Sequence, residues 1–250
     1  MKPFKLVAVL ALAACARSAH VGSPTPAAPP EQSAAANTLT AADRAAGWKL
    51  LFDGKTTSGW RGYKMQTMPP QWMAMDGTLM KERPTEDIVT TEQFGDFDLV
   101  FEWKLGKGGN AGVFYRGTEE YEKVYWSATE YQLLDDANAP DGRLTASCTC
   151  YMTSSATNYG LYGIPKHYAR PFGEWNSSRI VARGNHVEHW LNGIKTVEYD
   201  YYSPDWEAKV KASKFKDWPN YGRAKKGYIA IQGDHEGELA LRNIRIRELK

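Results

Sequence analysis

The 250-residue sequence predicts an all-β sandwich with one or two short peripheral helices. Many short segments alternate apolar and polar residues with the two-residue period of a β-strand. Turn-forming pairs such as Asp-Gly, Gly-Asn and Asn-Gly separate these segments, as hairpins require. Helix start signals are few, and no repeat of about 20–50 residues recurs, which argues against a solenoid or a propeller.

The predicted elements follow in order. Thr40 and Asp43 form a capping box that starts a short helix, and Ser203 and Pro204 start a second helix over residues 205–215. In the last predicted strand the apolar positions change phase, which predicts a β-bulge near residues 242–243. Strands are predicted at residues 48–52, 72–75, 78–80, 88–91, 97–105, 111–116, 129–135, 178–183, 186–191, 194–199, 227–232 and 238–247.

The first 14 residues have the composition of a secretory signal, with Lys2 and Lys5 before a short apolar run. That run is shorter than the about 20 apolar residues that a membrane span needs. The ending Leu-Ala-Ala-Cys resembles the lipobox of bacterial lipoproteins, in which Cys15 becomes the lipidated N-terminus; an ordinary signal with an incidental cysteine is the alternative. Ala16 resembles the residue found there in lipoproteins sent to the outer membrane. We predict export across the inner membrane and lipid anchoring in the cell envelope, at the outer membrane or the periplasmic face.

Residues 15–38 are rich in Ala, Pro, Ser and Gln, and we predict that they form the anchor and a flexible linker. Residues 39–250 are predicted to form one domain. Removing the signal takes two lysines from 31 basic residues against 29 acidic ones, so the mature chain is near neutral. A near-neutral chain argues against a nucleic-acid partner.

The segment at residues 130–136 alternates polar and apolar side chains on one predicted strand. Glu130 and Gln132 share one face, while Tyr131 and Leu133 share the other. A carboxylate beside an amide suits a sugar-binding cleft. Jelly-roll glucanases place carboxylates at alternate positions of one strand, whereas this strand offers an amide at the second position. The two-carboxylate glycosidase mechanism therefore lacks its second group here, and the protein either only binds sugar or cleaves it by other chemistry.

Several blocks of sequence follow one another in a recognisable order, at residues 47–56, 94–99, 109–116, 130–136, 173–176, 189–193, 213–215, 227–232 and 242–244. In this order they resemble the 3-keto-disaccharide hydrolase family, and the resemblance covers nearly everything after residue 45. It implies a concanavalin A-like jelly roll and activity on 3-keto glycosides. Two segments depart from the family. Residues 232–237 contain an extra Gly and a Glu, and residues 146–162 are longer than usual and contain Cys148 and Cys150, which are either free or locally bridged.

The chemistry that the resemblance implies is proton abstraction. A ketone at C3 of a sugar acidifies the C2 hydrogen, and the resulting enolate can expel the C1 substituent, after which water can add. Such a site needs a base, a cation or donors for the enolate oxygen, and an acid. We predict His235 as the base, Arg116 as the cation and Glu130 as the acid or a second base. The alternatives are that His235 orders a turn, that Arg116 pairs with a carboxylate, and that Glu130 only accepts sugar hydroxyls.

Further residues are predicted to contact the sugar. Asp135 and Asp136 could orient substrate, or their loop could hold a divalent cation such as Ca²⁺ through oxygen ligands; no other cofactor is expected. Aromatic rings are expected to stack on sugar faces. His189 is expected to be a buried histidine with its hydrogen bonds satisfied, and Trp48, Trp72 and Trp103 to be core residues. The other substrate-binding candidates are Asn110, Gln132, Tyr115, Tyr131, Trp126, Trp190 and Lys81.

We therefore predict a lipid-anchored, secreted jelly roll that cleaves 3-keto glycosides, with a small carbohydrate as its partner. The alternatives are a non-catalytic carbohydrate-binding module, since the fold also serves lectins, and an ordinary β-glucanase.

Overall fold

The computed structural model describes residues 35–145 and 148–250. The predicted signal, lipidation site and most of the linker lie outside these residues, so those predictions and the domain boundaries remain predictions. No helix within the described ranges combines the length and apolar character that crossing a membrane requires.

The described residues form two α-helices and three short 3₁₀ helices. The α-helices are α1 (Ala41–Ala45) and α2 (Pro204–Ala212), and the 3₁₀ helices are Val124–Trp126, Pro140–Gly142 and Lys214–Asp217. The strands are β1 (Lys49–Leu50), β2 (Trp60–Gly62), β3 (Met73–Met75), β4 (Thr78–Lys81), β5 (Ile88–Phe94), β6 (Phe97–Leu105), β7 (Asn110–Gly117), β8 (Thr129–Leu134), β9 (Asn176–Arg183), β10 (His186–Leu191), β11 (Ile194–Asp200), β12 (Gly227–Ile231) and β13 (Leu239–Glu248).

The strands form two antiparallel sheets that pack face to face. The large sheet has eight strands in the order β11-β10-β9-β6-β13-β4-β3, with β1 paired to β13. The small sheet has five strands in the order β2-β5-β12-β7-β8. The main hydrophobic core lies between the sheets, and both sheets contribute to it through alternate side chains. This arrangement confirms the predicted concanavalin A-like jelly-roll sandwich with two short peripheral helices.

Turn and cap chemistry explains why several predicted boundaries are correct. The β3–β4 turn uses Asp76 and Gly77, which have φ angles of 50° and 72°; a type I′ turn requires positive φ at both positions. The Thr40 side chain accepts from the backbone N–H of Asp43, whose carboxylate accepts from the N–H of Thr40, so the predicted capping box starts α1. The register of β13 against β6 shifts between Arg242 and Arg245, which confirms the bulge.

The core contains the residues expected there. Trp48, Trp72 and Trp103 are buried, as predicted. His189 is also buried, with Nε2 2.7 Å from the hydroxyl of Tyr115. Strand β2 was not predicted, because three residues are too few to show an alternating pattern.

Candidate active site

A cavity of about 200 Å³ opens on the outer face of the small sheet, the face away from the core. Strands β7 and β8 supply its floor, and the segment after β12 supplies one wall. The 3₁₀ helices Val124–Trp126, Pro140–Gly142 and Lys214–Asp217 supply further walls. The lining residues are Asn110, Tyr125, Glu130, Gln132, Asp141, Tyr159, Lys214, Phe215, Gln232, Asp234 and His235. Four of these, Asn110, Glu130, Gln132 and His235, are residues that the sequence analysis named as site candidates.

Glu130 lies on β8 opposite Phe114 of β7, and its side chain crosses over the neighbouring Gly112. A Cβ atom at Gly112 would come within 2.2 Å of Glu130 Oε1, so only glycine leaves room for the carboxyl group. The pKa of Glu130 is raised to about 8, mainly by burial; Lys214 opposes this rise, and the carboxylates of Asp87 and Asp234 contribute to it. At neutral pH Glu130 is therefore mainly a protonated acid.

Three of the side chains that line the cavity are amides whose oxygen atoms are buried. Asn110 Oδ1, Gln132 Oε1 and Gln232 Oε1 are buried and have no hydrogen-bond partner among the described residues. The amide nitrogen of Gln132 donates to the carbonyl of Thr153 at 3.2 Å, so this side chain is oriented by the protein. Buried acceptors are normally satisfied, and acceptors left open at a cavity are matched to donors on a ligand, such as sugar hydroxyls.

His235 reaches the same cavity from the segment that follows β12. Its side chain is 44% exposed, and its Nε2 atom lies 3.9 Å from Asp234 Oδ1. Asp234 also lines the cavity, and its Oδ2 atom lies 3.6 Å from Lys123 Nζ. The predicted acid on β8 and the predicted base in the segment after β12 thus line one cavity. The sequence analysis assigned His235 and Glu130 to one site although no local sequence pattern connects them.

Arg116 does not reach the cavity, which corrects its predicted role as the cation. Its Nη2 atom lies 3.1 Å from Asp96 Oδ1, and its Nε donates to the carbonyl of Gly95 at 3.0 Å. Arg116 therefore fulfils the alternative, a pair with a nearby carboxylate. The cation in the cavity is Lys214, whose Nζ lies 4.4 Å from the centroid of the Tyr159 ring. Sequence reasoning missed Lys214, although its block at residues 213–215 carried part of the resemblance.

Lys81 does not line the cavity either. It is 1% exposed and lies behind the His235 segment, where its Nζ donates to the carbonyls of His235 and Gly237 at 2.7 and 3.1 Å. The predicted contact of Lys81 with sugar is therefore wrong.

Tyr115 and Tyr131 are core residues and cannot stack on a sugar. They are the inward-facing residues of β7 and β8, and both are fully buried. The hydroxyl of Tyr115 contacts His189 and Tyr199, and the hydroxyl of Tyr131 donates to the carbonyl of Trp190 at 3.0 Å. The sequence analysis selected both as binding residues because the sequence alone does not distinguish a tyrosine that points into the core from one that points into a cavity.

Trp126 and Trp190 do not line the cavity. Trp190 lies on the outer face of the large sheet, on the opposite side of the sandwich, and its indole N–H donates to Glu188 at 2.9 Å. Trp126 stacks on Trp218, with ring centroids 4.1 Å apart and planes 9° apart. The aromatic walls are instead Tyr125, Tyr159 and Phe215, which the sequence analysis did not select.

Asp135 and Asp136 organise the loop after β8 and do not line the cavity. Asp135 Oδ2 accepts from the N–H of Gly108 and from the side-chain amide of Asn138, both at 2.8 Å. Asp136 Oδ1 accepts from the N–H of Ser155 at 2.8 Å. The acid that the loop contributes to the cavity is Asp141. A cation held by this loop stays a prediction.

One cluster of metal-ligating side chains lies elsewhere among the described residues, on β10 and β11. The ligand atoms of His186, Glu188 and Glu198 all lie within 4.8 Å of one another. Lys195 Nζ lies 3.4 Å from Glu188 Oε1 and contacts Glu198 as well, so a lysine already neutralises these carboxylates.

Cys148 and Cys150 form a disulfide, which is the locally bridged alternative of the sequence analysis. The bridge lies near the start of the described segment at residues 148–162. That segment reaches the cavity through Tyr159, whose hydroxyl donates to Asp141 Oδ2 at 3.4 Å.

A second cavity, of about 650 Å³, lies on the outer face of the large sheet. Trp175, Phe172, Lys104 and Arg242 are among its lining residues, and the Arg242 guanidinium lies 4.1 Å from the centroid of the Trp175 ring. None of the predicted site residues lines this cavity. The smaller cavity is therefore the candidate active site, because His235, Glu130 and Lys214 all line it.

Comparisons with known proteins identify the family to which the chain belongs. The family described as 3-keto-alpha-glucoside-1,2-lyase-like domain matches residues 47–247. The 3-keto-disaccharide hydrolase of Bacteroides thetaiotaomicron is 33% identical over 232 residues, which cover 81% of this chain and 79% of that protein. A crystal structure from Parabacteroides distasonis ATCC 8503, provisionally named a glycosyl hydrolase, has a TM-score of 0.79 and 31% identity. The alignment covers 86% of this chain and all of that chain. A second such structure from the same organism has a TM-score of 0.63 and 28% identity, and covers 81% of this chain and 99% of that one.

Proposed function

Because the chain belongs to the family of 3-keto-alpha-glucoside-1,2-lyase-like domains, we propose that it cleaves 3-keto glycosides by C2–H abstraction and loss of the C1 substituent. The observation that carries this proposal is the meeting of His235, Glu130 and Lys214 at one cavity. Such a reaction needs a base, an acid and a cation, and each of these residue types is present once or more among the lining side chains.

The cavity is sized for one sugar ring. Its volume of about 200 Å³ falls below the roughly 300–1,000 Å³ of pockets that enclose drug-sized ligands. The oxidised ring occupies it, and the leaving group lies at its mouth. The open oxygens of Asn110, Gln132 and Gln232 accept hydrogen bonds from the ring hydroxyls.

His235 removes the proton from C2, and the electron pair of that bond moves into the enolate at C3. The imidazole suits this step because it accepts a proton near neutral pH. The Lys214 ammonium stabilises the negative charge that develops on the C3 oxygen, the role first expected of Arg116.

Glu130 donates its proton to the C1 oxygen as the C1–O bond breaks and the C1–C2 double bond forms. A carboxylic acid with a pKa of about 8 is protonated at the working pH and is still a competent donor. Water then adds to C1 with Glu130 as the base, and the His235 imidazolium returns a proton to C2. The net change is hydrolysis, with both residues restored.

An ordinary glycosidase is the second candidate, because the structure adds carboxylates that the strand pattern did not reveal. Asp141 and Asp234 line the cavity with Glu130, and a two-carboxylate mechanism needs one acid and one further carboxylate. Turnover of an unoxidised β-glucan would favour this candidate over the proposed one. Retention on a glycan column without any turnover would favour a binding module.

The decisive experiment is cleavage of a 3-keto disaccharide in deuterated water. We expect release of the 3-keto sugar with solvent deuterium at C2, because the proton removed by His235 exchanges before it is returned. Cleavage without deuterium at C2 would count against the carbanion route.

Variants test the assignment of roles. His235→Ala and Glu130→Gln should each lower kcat by about 100-fold or more while the fold is retained, as expected for loss of an acid–base group. Glu198→Gln serves as the control, since Glu198 is an exposed residue on β11. Wild-type rates in both cavity variants would place the active centre elsewhere.

The proposed cellular location rests on the sequence of residues 1–38 alone. Incorporation of labelled palmitate into the exported protein, and its loss in Cys15→Ser, would support the lipid anchor. Export of an unlabelled, soluble protein would support an ordinary signal peptide.

A further inference from the structure

We propose that Lys81 is a positioning residue that holds the backbone of His235 at the cavity. The proposal rests on the proposed role of His235 as the base. Lys81 makes no contact with the cavity itself, and it acts through the main chain of the segment at residues 233–237, which we call the base loop.

The first observation is the burial of a charged side chain that has no carboxylate at contact distance among the residues that the structure describes. Lys81 is 1% exposed at the end of β4, and its Nζ donates to two carbonyls, of His235 at 2.7 Å and of Gly237 at 3.1 Å. Burial lowers the pKa of Lys81, while the carboxylates of Asp234, Glu236 and Asp87 oppose that change. A lysine is costly to bury, and a methionine would fill the same space, so packing alone does not account for the ammonium group.

The second observation is that Lys81 completes a set of anchors along the base loop. At its start, Asp87 Oδ1 accepts from the N–H of Gly233 at 2.8 Å, and the N–H of Thr85 donates to the carbonyl of Gly233 at 3.0 Å. A Cβ atom at Gly233 would come within 2.4 Å of the Glu86 carbonyl, so the two segments touch closely. The base loop therefore packs against the connection between β4 and β5.

The anchors differ in what they hold. Asp87 and Thr85 fix the loop two residues before the base, whereas Lys81 is the anchor that bonds to the backbone of His235 itself. One ammonium group also ties His235 to Gly237, which fixes the turn that directs the imidazole toward the cavity.

The test compares Lys81→Met with Lys107→Met in steady-state kinetics on a 3-keto disaccharide. Lys107→Met removes the same charge from an exposed position at the second cavity, on the outer face of the large sheet. We expect Lys81→Met to lower kcat by about 10- to 100-fold, as small misplacements of catalytic groups do. KM should change little, because Asn110, Gln132 and Gln232 still bind the sugar. Lys107→Met should match the wild type.

A conservative series keeps the test decisive if Lys81→Met folds poorly. Lys81→Gln can still donate to one carbonyl, so its kcat should lie between those of the wild type and Lys81→Met, again at constant KM. A folded Lys81→Met or Lys81→Gln with wild-type kcat would overturn the proposal, and so would a rise in KM with kcat unchanged.

Hydrogen–deuterium exchange of the free protein gives a readout that does not depend on the reaction. Exchange in the peptide covering residues 233–239 should accelerate in Lys81→Met, while β7 and β8 keep the wild-type exchange. Unchanged exchange in that peptide would overturn the positioning role. Absence of wild-type turnover with any 3-keto glycoside would instead contradict the proposed function, so the two failures are distinguishable.

Discussion

Glu130 and His189 are two buried titratable residues whose environments differ in one respect. Burial raises the pKa of Glu130 to about 8 and lowers the pKa of His189 to about 3, so both are neutral at pH 7. His189 has partners inside the core: its Nε2 lies 2.7 Å from the Tyr115 hydroxyl and its Nδ1 lies 3.3 Å from the carbonyl of Ala156. The carboxyl group of Glu130 has no hydrogen-bond partner among the described residues and faces a cavity.

The comparison shows that a perturbed pKa alone does not identify a functional group. Desolvation acts on both residues in the same way, by disfavouring the charged form. What separates them is whether the protein satisfies the neutral form. A satisfied group belongs to the structure of the core, and an unsatisfied group at a cavity is available to a ligand.

The largest expected effect is on stability at high pH, and it tests the burial of Glu130. Folding raises the pKa of Glu130 from 4.5 to about 8. Above pH 8 this shift lowers the free energy of unfolding of the wild type by up to about 5 kcal/mol. The penalty disappears as the pH falls through 8 toward 4.5. Glu130→Gln lacks it, so urea unfolding should find the variant more stable than the wild type at pH 9, with a smaller difference at pH 5. A difference independent of pH would contradict the buried state of Glu130.

The next effect is on stability at low pH, and it tests the burial of His189. The folded state lowers the pKa from 6.5 to about 3, so stability is present above pH 6.5 and is lost as the pH falls toward 3. His189→Gln cannot titrate, and imperfect hydrogen bonds should make it less stable at pH 7 by about 1–3 kcal/mol. Urea unfolding at pH 7, 5.5 and 4 should show the deficit shrink. A deficit that grows on acidification would mean that His189 is charged in the fold.

A third prediction concerns the room that Glu130 needs above Gly112. The added methyl of Gly112→Ala would meet Glu130 Oε1 at 2.2 Å and displace the carboxyl group. We expect kcat on a 3-keto disaccharide to fall by about 100-fold, the size of loss that misplacement of about 1 Å can produce. Gly173→Ala is the matched control for space, since a Cβ there meets nothing within 4 Å, although its φ of +81° carries some strain. Normal turnover in Gly112→Ala would show that the position of Glu130 does not limit the reaction.

The smallest effect is expected at Arg116. Arg116→Lys keeps a positive charge beside Asp96 and leaves the cavity lining untouched. Turnover should stay within about threefold of the wild type, as for surface changes away from a site. Lys214→Met should lower it far more, because Lys214 is the cation at the cavity. The reverse order of effects would restore Arg116 as the catalytic cation.

The sequence predicted the fold well because strand alternation and turn chemistry are local signals. The β3–β4 turn, the α1 capping box and the bulge in β13 each depend on a few adjacent residues, and each is where the sequence placed it. The division of β8 into a core face and a cavity face also follows from its two-residue period. Tyr131 and Leu133 share the core face and Gln132 lines the cavity, so the two faces divide as predicted, although Tyr131 had been expected to contact sugar.

The site was predicted less completely because its members come from distant parts of the chain. Lys214, Asp141 and Tyr159 lie on segments with no strand pattern, and only the fold brings them beside Glu130. The predictions that Tyr115 and Lys81 contact the sugar were wrong for another reason. Their side chains find partners that lie 74 and 154 residues away in sequence, and no local pattern announces such contacts.

The stacked indoles of Trp126 and Trp218 join the two segments that carry Tyr125 and Lys214 to the cavity. Because rings that lie face to face at 4.1 Å perturb each other's emission, we expect the fluorescence of this pair to depend on the spacing of the two segments. A fluorescence change on sugar binding that is lost in Trp126→Phe would report that the two walls move together. Such a signal would allow occupancy of the site to be followed without a label.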